Sequence, residues 1–443
     1  MATPFAVRLD PADTLQTEPV SIRVEGCRPG ERLRLASRLL DDLGVAWTAH
    51  GDHVADASGT VDTASAPSEG GTYVGLEPAG LLWSLQPPGG TGRQFLMNAT
   101  ERAHKLGLPA CDPVKPLRIE IAAERPDGSR ATAELCLRRL APGIEVQPLR
   151  DGRLRGTVFR WTDRSRSRGA IVSLTGSGGG VEMGYAPLLA SLGYDVVSLA
   201  YFNHEDLSPM LANIPLEYFA EGFEWLRREL GARRIAVQGA SRGGELTLVL
   251  AAHFPEYVNG GVAIVPMYAT SPGWNHATGE ITASWTLNGA PIPYVTGRAT
   301  PPDEIRRIAD LQPHGYPMAD DFRVALEPLE VRERAAIPVE RVSGPLLLIS
   351  GVEDQMWHCE WGSDVVVNRL RAKGFAHPVR HLALPETGHI TPLPNTVTSF
   401  APSVYHSLAH MLLACGGTPR GAARASWTMW QAMKDHYRLV FGG

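Results

Sequence analysis

Lysine is nearly missing from this chain. It stands only at Lys105, Lys115, Lys373 and Lys434, and arginine carries almost all the positive charge. The bias points to a GC-rich genome and constrains chemistry little. Nor is there a basic surplus: 42 Lys and Arg against 47 Asp and Glu leave a formal net charge of −5, so the positive face of a nucleic-acid binder is not expected. The one basic run, Arg164, Arg166 and Arg168 in "DRSRSRG", reads as a solvated loop. Cysteines 27, 111, 136, 359 and 415 are scattered, odd in number and never in a C-x-x-C pair, which predicts neither a disulfide framework nor a zinc site and suits a reducing cytoplasm. No window approaches the ~18 uninterrupted apolar residues of a membrane span. The opening "MATPFAVRLDPADTLQTEP" lacks the charged and apolar regions of a signal peptide, and "LVFGG" is no peroxisomal address. The expectation is a cytoplasmic protein with neither nucleic acid nor membrane as partner.

What is present is an ordinary globular composition, 44% hydrophobic and 20% charged over 443 residues, long enough for two or three domains. The first third reads as β. "PVSIRVEG", "ERLRLASRLL", "PLRIEIAAE" and "ATAELCLRRL" alternate or are β-branched, with "CRPGE" and "RPDGS" turns between them, which predicts an all-β sandwich over residues 1–148. The spacing in "RLRLASRLLDDLG" also suits a helix. After a Pro/Gly/Arg-rich passage, strands alternate with helices from 149 to 443. "GAIVSLTG", "DVVSLAYF", "IAVQGA", "VNGGVAIVPM", "PLLLISG" and "VRHLALP" are compact apolar strands. "VEMGYAPLLASLG", Gly243–His253 and "WGSDVVVNRLRAKG" read as helices, and Leu216, Phe219, Phe223, Leu226 and Leu230 mark one amphipathic face. Glu224 and Arg228 are spaced for an i,i+4 pair on its other side. The pattern predicts a mostly parallel sheet covered on both faces. Residues 267–340, Pro/Gly-rich and irregular, read as a lid or pocket-lining insertion.

Chemistry gathers around Gly239-Ala240-Ser241-Arg242-Gly243, where a short strand meets a helix. The pentapeptide fits a plain strand–helix turn, and it also fits the elbow that displays a nucleophilic serine. A serine needs a base oriented by a carboxylate, and in α/β-hydrolases both follow it along the chain in the order acid, base. Asp354 follows the strand "PLLLISG", with Glu353 beside it as an alternative. His389 follows "VRHLALP"; His381 lies within that strand and His358 near Asp354. Two backbone N–H groups are needed for an oxyanion. Arg242 offers one, and the loop Gly176-Ser177-Gly178-Gly179-Gly180 offers the other, at Ser177 first and Gly178 second. That loop cannot be a dinucleotide G-x-G-x-x-G, because Val181 and Met183 stand where the third glycine would be.

In their order along the chain, "GTYVGLEPAGLLWSLQP", "LTGSGGGVEMGYAPLLASLGYDVVSLAYFNHEDL", "LEYFAEGFEWL", "QGASRGGELTL", "ISGVEDQMWHCEW" and "LPETGHI" resemble the type I acyl-CoA thioesterases and bile acid-CoA:amino acid N-acyltransferases. The resemblance implies an α/β-hydrolase domain behind a β-sandwich. It places the nucleophile on Ser241, the acid on Asp354 rather than Glu353, and the base on His389. It implies an acyl thioester substrate, carried by coenzyme A or a carrier-protein phosphopantetheine, and no metal or redox cofactor. The family's thioesterases carry serine at the elbow and its N-acyltransferases cysteine, so Ser241 points to hydrolysis. Transfer of the acyl group to an amine or alcohol, cyclisation, and carboxylester hydrolysis are the alternatives. Arg242 stands where the family usually has lysine, and "ITPLPNT" replaces an aromatic and acidic run after His389.

Overall fold

The computed structural model describes residues 3–92, 96, 114–275, 278, 280–297, 300–406 and 408–442. Within it the chain forms two units: Met1–Leu140 with Pro392–Phe400 and Ala422–Arg424, and Ala141–Thr391 with Ala401–Gly421 and Ala425–Gly443.

The first unit is a sandwich. Strands β1 (Ala6–Asp10), β3 (Ser21–Glu25) and β6 (Val61–Asp62) form one sheet. The other runs in the order β2 (Asp13–Leu15), β9 (Arg130–Arg138), β8 (Leu117–Glu124), β4 (Arg32–Leu40), β5 (Ala46–Val54), β7 (Gly70–Gly71). Between them lies a core that includes Ile22, Val24, Leu35, Leu81, Ile121 and Leu135. The ambiguous "RLRLASRLL" is strand β4: Leu33, Leu35, Ser37 and Leu39 are buried while Arg34 and Arg38 are exposed. Strict alternation wins there because every second residue meets the facing sheet. Residues 392–400 return to this unit. Asn395 Nδ2 donates to the carbonyls of Gln16 (2.8 Å) and Glu18 (2.9 Å).

The second unit is built on an eight-stranded sheet in the order β10 (Ile144–Asp151), β11 (Leu154–Trp161), β13 (Asp195–Ala200), β12 (Ala170–Leu174), β15 (Ile235–Ala240), β16 (Val258–Ile264), β21 (Leu346–Gly351), β22 (Val379–Leu384). The first two strands pair antiparallel, and from β13 onward every pairing is parallel. The division expected between residues 148 and 149 falls inside β10. From β12 the chain goes first to β13 on one side and then to β15 on the other. Such a reversal opens a crevice at the carboxyl ends of the strands where ligands bind.

Helix Glu217–Leu230 buries Phe219, Phe223, Leu226 and Leu230, with Leu216 just before it. Its Glu224–Arg228 pair does not form. Arg228 bonds to Asp151 (3.1 Å) and Glu229 (2.6 Å), while Glu224 accepts the Tyr257 hydroxyl (2.9 Å). An exposed i,i+4 pair is worth only about 0.3–0.5 kcal/mol, so other partners displace it easily. Helix Ala186–Ser191 is shorter than its sequence suggested, because residues 176–184 are loop.

Residues 267–340 are more ordered than their composition implies. β17 (Pro272–Asn275) pairs with β18 (Glu280–Ala283), and β19 (Trp285–Leu287) with β20 (Ala290–Pro291). β14 (Ile214–Pro215) lies parallel to β19, and helices Pro302–Leu311, Ala319–Ala325 and Leu329–Ala335 follow. A last hairpin, β23 (Ser403–His406) and β24 (Met411–Ala414), precedes helix Pro419–Phe441. Cys27, Cys136, Cys359 and Cys415 are free thiols; Cys111 lies outside the described residues. No described helix is long and apolar enough to cross a membrane.

Candidate active site

β15 is an apolar strand buried from Ile235 to Gly239, and helix Arg242–His253 starts two residues after its last member. Ser241 joins them at φ 60°, ψ −122°, a conformation that a side chain adopts only when its surroundings force it. The glycines make the turn possible. A methyl group on Gly239 would lie 2.5 Å from the Gly243 carbonyl carbon and oxygen, and one on Gly243 would strike the Thr175 carbonyl. The strain lifts Ser241 Oγ off the sheet end, as a nucleophile elbow requires.

Asp354 and His389 reach this point from the ends of β21 and β22. His389 Nε2 is 2.8 Å from Ser241 Oγ, and its Nδ1 is 2.8 Å from Asp354 Oδ2. The carboxylate accepts, so Nδ1 carries the proton and Nε2 presents its lone pair to the serine hydroxyl. Asp354 is itself fixed: Oδ1 accepts the amides of Met356 (2.8 Å) and Trp357 (3.3 Å). The Trp357 indole packs edge-on against the His389 ring at 5.6 Å and donates to the Val265 carbonyl (2.9 Å). The Asp354 and His389 side chains are 1% and 5% exposed, which shelters the line of hydrogen bonds from water. Burial, and then the nearby negative charge of Asp354, push the Cys359 and Cys415 thiols up, so both stay neutral.

The other candidates stand elsewhere. Glu353 is exposed. His381 bonds to Asp364 (3.0 Å) and Ser350 (3.1 Å), and His358 lies 3.8 Å from Asp320.

The glycine loop after β12 crosses over the elbow: a methyl group on Gly176 would come 3.3 Å from Ser241 Cβ. Among the described residues no acceptor engages the Ser177 or Gly178 amide. The Arg242 amide is one of the first-turn donors that a helix leaves without an internal partner. The loop is tied at its edges. Tyr201 O–H donates to the Thr175 carbonyl (2.8 Å), Gly180 N–H to that of Phe202 (3.0 Å), and Asn203 Nδ2 to that of Gly178 (2.9 Å). Beyond it the half-buried Glu182 carboxylate accepts N–H groups from Gly184, Tyr185 and Ala186 and the Ser173 hydroxyl. Burial raises its pKa in spite of these donors.

Sequence reasoning treated Arg242 as a backbone donor alone. Its side chain is buried and pairs with Glu245 at 2.8 Å; it also donates to the Ser271 carbonyl (3.1 Å) and to Ser284 Oγ. Glu245 further accepts the Ser271 amide (3.1 Å) and the Trp285 indole N–H (3.3 Å). The helix that follows Ser241 is thereby pinned to the start of the 267–340 passage. The i,i+3 spacing in "SRGGE" was the available signal. For Glu182, Trp357 and Tyr201 there was none. Among the described residues no three His, Cys, Asp or Glu side chains are grouped to hold a metal.

A switched parallel sheet with a strained serine elbow on its central strand defines the class, an α/β-hydrolase. Residues 214–439 match the C-terminal region of the BAAT / acyl-CoA thioester hydrolases, and residues 17–151 match the acyl-CoA thioester hydrolase/BAAT N-terminal region. The chain belongs to this family. It is 32% identical over 434 residues to the human (Homo sapiens) acyl-coenzyme A thioesterase 2, mitochondrial, across 96% of this chain and 82% of that one. Human acyl-coenzyme A thioesterase 1 is 31% identical over 434 residues, 96% and 94% of the two chains. Acyl-coenzyme A thioesterase 6 of Mus musculus is 30% identical over 443 residues, with the same coverage of 96% and 94%.

Proposed function

We propose that this chain hydrolyses acyl-coenzyme A thioesters to free acid and thiol, with Ser241 as nucleophile, His389 as base and Asp354 as orienting acid. The observation that carries the reading is the unbroken line Ser241 Oγ, His389 Nε2, Nδ1, Asp354 Oδ2, with both links at 2.8 Å, in a member of this family. The Ser241 proton passes to His389 Nε2 as Oγ bonds to the thioester carbonyl carbon. The oxyanion takes hydrogen bonds from the Arg242 and Ser177 amides, with Gly178 beside them. Asp354 holds the imidazolium that forms. The C–S bond then breaks, and the thiol leaves with the proton from His389. Water, deprotonated by His389, attacks the acyl-enzyme and releases the acid and Ser241.

The pinning of Ser271 and Ser284 by Arg242 supports residues 267–340 as the cover of the acyl group. A sulfur-bound acyl-enzyme is better suited to aminolysis than the oxygen ester that Ser241 would form, so product analysis is the test. A panel of acyl-CoA chains is assayed for free thiol and for product, with and without amino acids, alongside an acyl-phosphopantetheine carrier protein and a p-nitrophenyl ester. Free acid as product, fastest from coenzyme A thioesters and lost by more than about a thousandfold in Ser241→Ala, is expected. An amide as the main product, or an unchanged rate in Ser241→Ala, would overturn the proposal.

A further inference from the structure

The last hairpin before the C-terminal helix connects two parts of the site. At its base, the Cys415 carbonyl accepts the His389 amide at 2.8 Å, which fixes the backbone of the base. At its tip, at the end of β23, His406 Nε2 lies 2.9 Å from Ser177 Oγ in the loop over the nucleophile. The ring's other nitrogen settles what this contact is. Nδ1 accepts the Ala409 amide N–H at 3.2 Å, which requires its lone pair, so the proton of the neutral ring sits on Nε2. His406 therefore donates to Ser177 Oγ. A hydroxyl that accepts on one lone pair turns its own hydrogen elsewhere, and among the described residues no acceptor takes the Ser177 O–H. The neighbouring Gly176 stands against Ser241 Cβ, closely enough that a methyl group there would sit 3.3 Å away.

We propose that Ser177 serves the oxyanion through its side chain as well as its amide, and that His406 is the positioning residue that sets the direction of the Ser177 hydrogen. This rests on the hydrolase reading above. The oxyanion gains an O–H donor that is oriented before the reaction, which is where such donors act most strongly. His406 touches no reacting atom. Its role is to occupy the Ser177 lone pair and to hold the 176–180 loop in place.

The test uses Ser177→Ala, His406→Ala, His406→Gln and the double variant Ser177→Ala/His406→Ala in the full chain. Two readouts are followed: thiol release from the best acyl-CoA, and the rate at which a fluorophosphonate labels Ser241. Each alanine variant should lower kcat by about tenfold to a hundredfold with KM unchanged. The double variant should be no slower than the slower single one, because both remove one device. His406→Gln keeps an N–H donor near Nε2 and should recover to within about threefold of the wild type. An unchanged kcat in Ser177→Ala, additive losses in the double variant, or no recovery in His406→Gln with its thermal melt intact would each overturn the proposal. A wild type that labels at Ser241 but releases no thiol would refute the thioesterase reading alone, and the labelling rates would still decide the roles of His406 and Ser177. A wild type that does not label would overturn both.

Discussion

Asp354→Asn removes a charge without changing shape, and its consequence follows from the two sides of the carboxylate. Oδ1 faces two donors, the amides of Met356 at 2.8 Å and Trp357 at 3.3 Å, while Oδ2 faces His389 Nδ1 at 2.8 Å. An asparagine must keep its oxygen toward the two amides. Turning its NH2 group to them would leave two buried donors unsatisfied, at about 1–3 kcal/mol each. The NH2 group therefore faces His389 and demands the lone pair of Nδ1. The ring proton moves to Nε2, where it points at Ser241 Oγ, and the base is lost. Recovering the working tautomer costs about 2–6 kcal/mol by this count, equivalent to about 30-fold to about 2.5 × 10⁴-fold in kcat. Single-turnover acylation from an acyl-CoA at neutral pH measures it, with a thermal melt as control and Glu353→Gln, an exposed neighbour, as the variant expected to stay at the wild-type rate. An Asp354→Asn enzyme within about threefold of wild type would refute the orienting role of the carboxylate.

Three further outcomes are expected. Gly239→Ala puts a methyl group 2.5 Å from the Gly243 carbonyl, so urea unfolding should show a loss of about 1–3 kcal/mol together with a fall in kcat. Gly178→Ala, whose added methyl meets nothing within 4 Å, should show no such loss of stability. Arg242→Met leaves the fully buried Glu245 carboxylate without its cation and should cost about 3–5 kcal/mol in the same assay, whereas Arg242→Met/Glu245→Leu should recover most of it. Burial lowers His436 from 6.5 to about 4, so the native state refuses a proton that the unfolded chain accepts. Its stabilising contribution is complete above pH 6.5 and drains away as pH falls toward 4, by about 2 kcal/mol between pH 7 and 5. Urea melts at those two values should show a slope that His436→Leu removes.

Elements whose pattern is local were legible in the chain alone. Glycines two places either side of Ser241 mark the elbow because the clash they avoid lies within one turn of chain. Apolar runs ending at Ala240, Gly351 and Leu384 placed Ser241, Asp354 and His389 at strand ends, and the face from Leu216 to Leu230 followed from helical spacing. The order serine, aspartate, histidine was also written in the chain.

Which side chains meet was settled by the fold. Ser241 and His389 are 148 positions apart, and Ser177 and His406 are 229 apart, separations that no periodicity encodes. Whether Arg32–Leu40 alternates as a strand or winds as a helix depended on the facing sheet of its unit. Glu224 and Arg228, correctly spaced for each other, were drawn to Tyr257 and Asp151 instead. The Arg242 guanidinium, unremarkable in sequence beside the serine it follows, became the buried clamp on residues 271–285. For Glu224 and Arg228 contacts across the fold outweighed a local preference worth only about 0.3–0.5 kcal/mol, and other long-range contacts set the geometry around Ser241.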